Sequence, residues 1–262
     1  MSLSSPPPTP PTPPASPLRI ISAGAAKGLV QGLEVPFTQL KPQGIPVSLE
    51  SSFGAVGAMK DIFLTEIKTF ALDHWAGLVV ISSQTILTDL IQASLLDAST
   101  LTPIGWVSTA MARLEGDASI SPMAQEEALK EALLHAPVIY APDTEQSTAG
   151  IHFKKVLMAL ELWPLLKDRV HNFPNGAAAM GQMAQDKIKG ALGCTQVTEI
   201  NYTPGVEVIS LLPQRFELNT LYSAACAFTG HHPQVAKAFI DFVCGQDPRA
   251  QKARLEGGFF DR

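Results

Sequence analysis

The sequence predicts an α/β fold on mostly parallel sheets, and three observations carry that reading. From residue 18 onward, short β-branched runs alternate with stretches of helical spacing, the pattern of parallel strands joined by crossover helices. The chain has 262 residues, 46% of them apolar, and a mean hydropathy of +0.15. That is enough to bury one large core or two of roughly 120 residues each, so two lobes with a cleft are within reach. Finally, composition excludes a disordered chain, and no stretch approaches the ~18 to 20 consecutive apolar residues of a membrane span.

Residues 1–17 hold 8 of the 21 prolines and no charged side chain. Repeated Pro-Pro-Thr favours polyproline II and cannot pack, which predicts a disordered tail outside the fold. The same segment lacks the basic start and apolar run of a secretory leader, so the chain as written reads as cytoplasmic. The first strand is expected at residues 18–23, broken at Gly24 and followed by helical spacing over 25–40. A strand at 44–49 leads through the small-residue loop Ser51-Ser52-Phe53-Gly54-Ala55-Val56-Gly57 to a helix over 58–67. A strand at 77–81, ended by Ser82-Ser83, precedes a helix over 85–93. Three βα units in succession imply a parallel sheet with helices on its faces.

A second βα set follows. Residues 104–112 read as a long strand, and Ser121-Pro122 as the opening of a helix over 123–134 with Glu126 and Glu127 in its first turns. A strand at 137–140 precedes the polar loop 143–150 and a helix over 151–160. Helices over 162–170 and 177–187, a strand at 190–194, strands at 206–211 and 221–227, and a final helix over 234–243 complete the expectation. His231-His232 before Pro233 reads as surface.

Composition narrows the function classes. Net charge is −5 and the 19 basic residues form no Lys/Arg stripe, so nucleic acid is an unexpected partner. Cys194, Cys226 and Cys244 form no CxxC pair or Cys/His cluster, so no zinc, iron–sulfur centre or other cofactor is expected. Chemistry instead points to three small-residue loops, Ser22 to Gly28, Ser51 to Gly57, and Ser147-Thr148-Ala149-Gly150. Each precedes a helix whose first N–H groups are unpaired and partly positive, and small side chains let an anion approach them. Small residues also serve simply to permit tight βα turns. None of the loops matches a dinucleotide or P-loop fingerprint.

Residues 20–29 and 48–59, the DTEQSTAGIHF segment at 143–153, the GALGCTQVTEI segment at 190–200, and Pro204-Gly205-Val206 through Pro213 together resemble one family. It is the molybdate-binding-protein-like branch of the type 2 periplasmic solute-binding proteins, and the resemblance spans residues 18–260. It implies two α/β lobes, each a mostly parallel sheet flanked by helices, joined by two crossovers with a ligand between them. Lobe one would be residues 18–103 plus 200–262, and lobe two residues 104–199. A periplasmic location is implied if a leader has been removed.

Where the family places oxyanion-binding hydroxyls, this chain has Ala25 and Val56/Gly57. With Lys27 adding a cation to the first loop, the resemblance implies a carboxylate-bearing organic anion in place of molybdate. Ser147, Thr148, Cys194 and Thr195 occupy the matching second-lobe positions, although a Cys such as Cys194 is more often buried and inert. Within the branch, length and loop set also resemble enzymes that isomerise aconitate, which implies an allylic proton shift without cofactor. The partner would then be a small tricarboxylate, with no membrane insertion and a monomer as the working state. The base would come from the cleft loops. His152, at a helix start that favours neutral imidazole, ranks first, with Asp143 and Glu145 behind it as residues that also form turns. The alternatives are a binding protein that delivers an organic anion to an ABC permease, and a cytoplasmic ligand sensor.

Overall fold

A computed structural model of the chain describes residues 16–69 and 74–262. Residues 1–15 of the expected tail lie outside the described residues. Ser16 and Pro17 belong to the fold. They open β1 (Ser16–Ala23) and pair with Val47 and Ser48 of β2 (Val47–Gly54). Proline is tolerated there because the start of a strand is where a missing N–H costs least.

Four parallel or antiparallel partners make the first sheet, in the order β2-β1-β3-β9, with β3 at Gly77–Ser83 and β9 at Asn219–Cys226. β1 runs parallel to both β2 and β3, and β9 runs antiparallel to β3. The second sheet repeats this order as β6-β5-β7-β4, with β4 at Thr102–Leu114, β5 at Ile139–Pro142, β6 at Val170–Phe173 and β7 at Leu192–Gln196. Here β5 is parallel to its two neighbours and β4 is the antiparallel strand.

The two lobes share β4. Its first half, Thr102 to Ser108, pairs with β9, and its second half pairs with β7 and with β8 (Val206–Leu211). The chain thus leaves the first lobe along β4 and returns along β8 and β9. This places β8 beside the second lobe, whereas the lobe boundary read from sequence set it with the first. A strand that alternates weakly gives no sign of which sheet it will join; only the ladder of Val206 to Leu114 and Glu207 to Arg113 decides it.

Both faces of each sheet are buried, as parallel strands require. In β1, Ile20 meets Leu29, Phe37 and Phe239 on one face while Ile21 meets Phe63 and Leu87 on the other. In the second lobe Ile139 joins Phe153 and Leu129, and Tyr140 joins Met180 and Ala179. Helices α1 (Lys27–Leu40), α2 (Val56–Thr69), α3 (Gln84–Gln92), α5 (Thr148–Ala159), α7 (Gly176–Asp186) and α9 (Pro233–Cys244) arise close to where spacing predicts them.

Other boundaries moved. Ser51–Gly54, read as loop, continue β2, so the loop shrinks to Ala55. α4 (Glu126–His135) starts behind Gln125, leaving Ser121-Pro122 outside it. The helix expected over 162–170 is only α6 (Trp163–Leu166), because Val170 enters β6, an exposed edge strand whose Val-His-Asn-Phe sequence shows little apolar alternation. Sequence reading also passed over α8 (Val197–Asn201) and α10 (Pro248–Gly257), the latter a mostly polar helix on the surface of lobe one. Among the described residues no helix is long and apolar enough to cross a membrane.

Candidate functional site

The carboxyl ends of the central parallel strands face each other across the lobe seam, the place where open α/β sheets bind ligands. From the first lobe, Ala23, Gly24 and Ala25 at the end of β1, and Gly54, Ala55 and Val56 at the end of β2, line the cavity. Their side chains offer no polar group, so this wall presents the backbone that leads into α1 and α2. From the second lobe come Ser147, Thr148 and Ala149 at the start of α5, Asn175 before α7, Gln196 at the end of β7 and Glu199 in α8. Tyr222 of β9 closes one side.

The lobes are shut. Gly57 N–H of α2 donates to the Gln146 carbonyl before α5 at 3.4 Å, bridging the seam. The cavity between the lobes measures about 10 Å³, room for one water.

Two side chains give this cavity its chemistry. Gln196 is 2% exposed, and neither its amide nitrogen nor its oxygen has a hydrogen-bond partner among the described residues. Thr109, opposite it in the β4–β7 ladder, has a buried hydroxyl in the same condition. A buried unsatisfied amide costs about 1–3 kcal/mol, and such a group at a cavity is fit to pair with a ligand.

Glu199 is buried as well. Its Oε2 accepts from the Thr195 hydroxyl at 2.5 Å and its Oε1 from Gly176 N–H at 3.1 Å. Burial, only partly offset by the Thr195 hydroxyl and the N–H groups of Ala177, Gly176 and Gln196, lifts its carboxyl above the usual value of 4.5. No ion pair joins it among the described residues. Glycine at two positions makes room for this carboxyl. A Cβ on Gly24 would stand 2.6 Å from Oε1, and one on Gly176 would collide with Oε2 and the Thr195 hydroxyl.

Over residues 18–260 the chain matches the bacterial extracellular solute-binding proteins. It belongs to that family. A curated relative, the aconitate isomerase of a Pseudomonas species, is 29% identical over 136 residues, and the match covers 50% of this chain and 48% of that protein. The chain thus spans about half the length of the curated relative it matches. Among solved structures, the periplasmic molybdate-binding protein of Azotobacter vinelandii superposes with a TM-score of 0.70 at 15% identity, covering 94% of this chain and 99% of that one. The sulfate-binding protein of Mycobacterium tuberculosis H37Rv gives a TM-score of 0.65 at 16% identity, covering 93% and 86%. These likenesses establish the two-lobed fold of type 2 periplasmic binding proteins.

Within this solute-binding protein, Ala25, Val56, Ser147 and Thr148 come together on the cavity, and Gly57 makes the bridge between lobes. Lys27 opens α1 and lines an adjoining cavity of about 380 Å³, with Glu199 standing between that space and the cleft. Thr195 is fully buried and reaches the site through Glu199. Cys194 points into the second-lobe core, where burial pushes its thiol far up, so it takes no part in the cleft.

The three proton-transfer candidates lie off the cavity lining. His152 Nε2–H donates to the Phe216 carbonyl at 2.7 Å, taking the tautomer that this acceptor imposes. Asp143 Oδ1 accepts from the N–H groups of Glu145 at 2.7 Å and Gln146 at 3.0 Å, an Asx turn that shapes the loop. Glu145 is exposed and paired with Lys154 at 2.5 Å. Sequence reasoning missed Gln196, Glu199, Asn175 and Tyr222. For the first two the signal was present in GALGCTQVTEI, where a strand end is followed three residues later by an acid on a short helix.

Proposed function

We propose that the cleft closes on a small organic polycarboxylate and isomerises aconitate between its trans and cis forms. The observation that carries the reading is the buried Gln196 amide, unpartnered among the described residues, on a cavity where α5 starts at Ser147 without a side-chain cap. An amide and backbone N–H groups suit a planar carboxylate, while the first-lobe positions Ala25 and Val56 offer no hydroxyl to a tetrahedral oxyanion. The relative named aconitate isomerase supports the choice of substrate.

The chemistry asks for a proton to leave the methylene carbon of trans-aconitate and return at the far end of the three-carbon unit. In between, negative charge spreads into the adjoining carboxylate. Fixed N–H donors aimed at that carboxylate stabilise such charge, in many enzymes the largest single contribution to catalysis. Family membership favours a second reading, capture of the same class of anion for an ABC permease.

Purified protein mixed with trans-aconitate, followed by chromatography for cis-aconitate, separates the two. Turnover establishes the isomerase; tight binding without turnover establishes the binding protein. A thermal shift with molybdate as large as that with aconitate overturns the carboxylate reading. Ligand at 100 times its dissociation constant stabilises by about 2.7 kcal/mol, a readily measured shift.

A further inference from the structure

We propose that Glu199 is the group that carries the proton, taking it from one carbon of the bound substrate and returning it to the other. The inference rests on the isomerase reading above and names the residue at its centre.

Position is the first argument. Glu199 enters the cavity from α8 of the second lobe and reaches the Gly24 backbone of the first, so its carboxyl lies at the seam on which a ligand would be clamped. Its two oxygens are fixed by the Thr195 hydroxyl and by Gly176 N–H, which removes the reorganisation a mobile base would need. The glycines at 24 and 176 keep the space around it open.

Elimination is the second. Of the described residues that line the cavity, only Glu199 and Tyr222 carry a group with an ordinary pKa of about 10 or below. Burial drives the Tyr222 phenol upward, and the nearby Glu199 charge adds to this, so it stays protonated. His152, Asp143 and Glu145 are each engaged elsewhere.

The third is basicity. Around the carboxyl stand Tyr222 from β9, Lys27 of α1 and Tyr202 beyond α8 across the adjoining cavity, and no cation is paired with it among the described residues. A desolvated carboxyl above its ordinary value is the stronger base when ionised and holds its proton long enough to give it back. An anionic ligand beside it raises that value further.

The step balances without a co-reactant. The methylene C–H bond breaks and a Glu199 O–H bond forms, the electron pair moving into the conjugated unit as the old double bond shifts. The O–H bond then breaks as a C–H bond forms at the former vinylic carbon, and Glu199 ends as it began.

The test uses the full chain with Glu199→Gln and Glu199→Asp, read by turnover of trans-aconitate, deuterium uptake from D₂O into aconitate, and equilibrium binding of trans-aconitate. Glu199→Gln should lose about 10²- to 10⁴-fold in kcat and in deuterium uptake, the contribution of a positioned acid/base, while binding stays within about fivefold. Glu199→Asp should recover part of the rate with a pH profile displaced from wild type. Retention of turnover within tenfold by Glu199→Gln overturns the assignment, as does loss of binding together with turnover in both variants. A wild-type protein that neither turns over nor exchanges removes the isomerase reading, and this assignment falls with it; an active wild type with an equally active Glu199→Gln removes this assignment alone.

Discussion

The two lobes share one strand order, β2-β1-β3-β9 against β6-β5-β7-β4, yet they face the ligand cavity with opposite chemistry. The first lobe lines it with Ala23, Gly24, Ala25, Gly54, Ala55 and Val56, so it contributes backbone. The second contributes the Ser147, Thr148, Asn175, Gln196 and Glu199 side chains. A wall of helix starts binds any anion that fits, since partial charges on N–H groups do not distinguish one oxyanion from another. Side chains with direction and a titratable group discriminate, and here all of them but Tyr222 of β9 stand on the second lobe. On the proposed function, the repeated topology divides holding from choosing.

The largest effect should come from crowding the second-lobe wall. Gly176→Ala places a methyl against Glu199 and Thr195 and should cost about 1–3 kcal/mol by urea denaturation, the usual penalty of overpacking. In the same helix, Gly181→Ala meets nothing and should stabilise by about 0.5–1 kcal/mol. Equal changes at both positions would mean that the cleft end of α7 is no tighter than its surface.

Next is Gln196→Leu. Removing a buried amide that lacks a partner should raise the stability of the ligand-free protein by about 1 kcal/mol while weakening trans-aconitate binding at least tenfold. Calorimetry and thermal melts read both. Unchanged affinity would return the ligand to the first-lobe wall.

A pH series tests the charge on the same side. Glu199 has a folded value above 4.5, so the folded state holds its proton more tightly than the unfolded chain, and its contribution to stability is lost as pH rises from about 4.5 through that folded value. Glu199→Gln should flatten this limb. Asp117 works in the other direction. The Ser119 hydroxyl, then the N–H groups of Gly190 and Ser119, hold its carboxyl at about 2 against an ordinary 3.8. Its contribution is present above 3.8 and lost as pH falls towards 2, so Asp117→Asn should flatten the acid limb.

The smallest effect belongs to the first lobe. Ala25→Ser puts a hydroxyl in the 3-10 turn Gly24–Ala26 ahead of α1 and should raise molybdate affinity a few fold, the worth of one net hydrogen bond. A gain of a hundredfold would show that this lobe chooses after all.

Much of the fold was legible from residue order. The β-branched runs around Ile20, Val79 and Ile139 and the helical spacing behind them specify βα units, because period and propensity act over a few residues. So did the small-residue loops at Ala25 and Val56 and the Ser147-Thr148 turn, since a tight βα turn at a cavity demands small side chains. The edge strand β6 and the polar helix α10 were not legible, for the first is held by its ladder to β5 and the second by its packing on α1.

The site divides in the same way. Sequence alone determined two βα sets, an anion-friendly wall of helix starts and the family to which the chain belongs. Tertiary structure decided that His152 turns to the Phe216 carbonyl while Gln196 and Glu199 turn inward, and that β8 runs beside the second half of β4. The physical reason is range. Propensity and turn chemistry are local, whereas the partner of a hydrogen-bonding side chain is chosen by chain segments as distant as Gly24, Gly176 and Tyr222, which meet only in the folded chain.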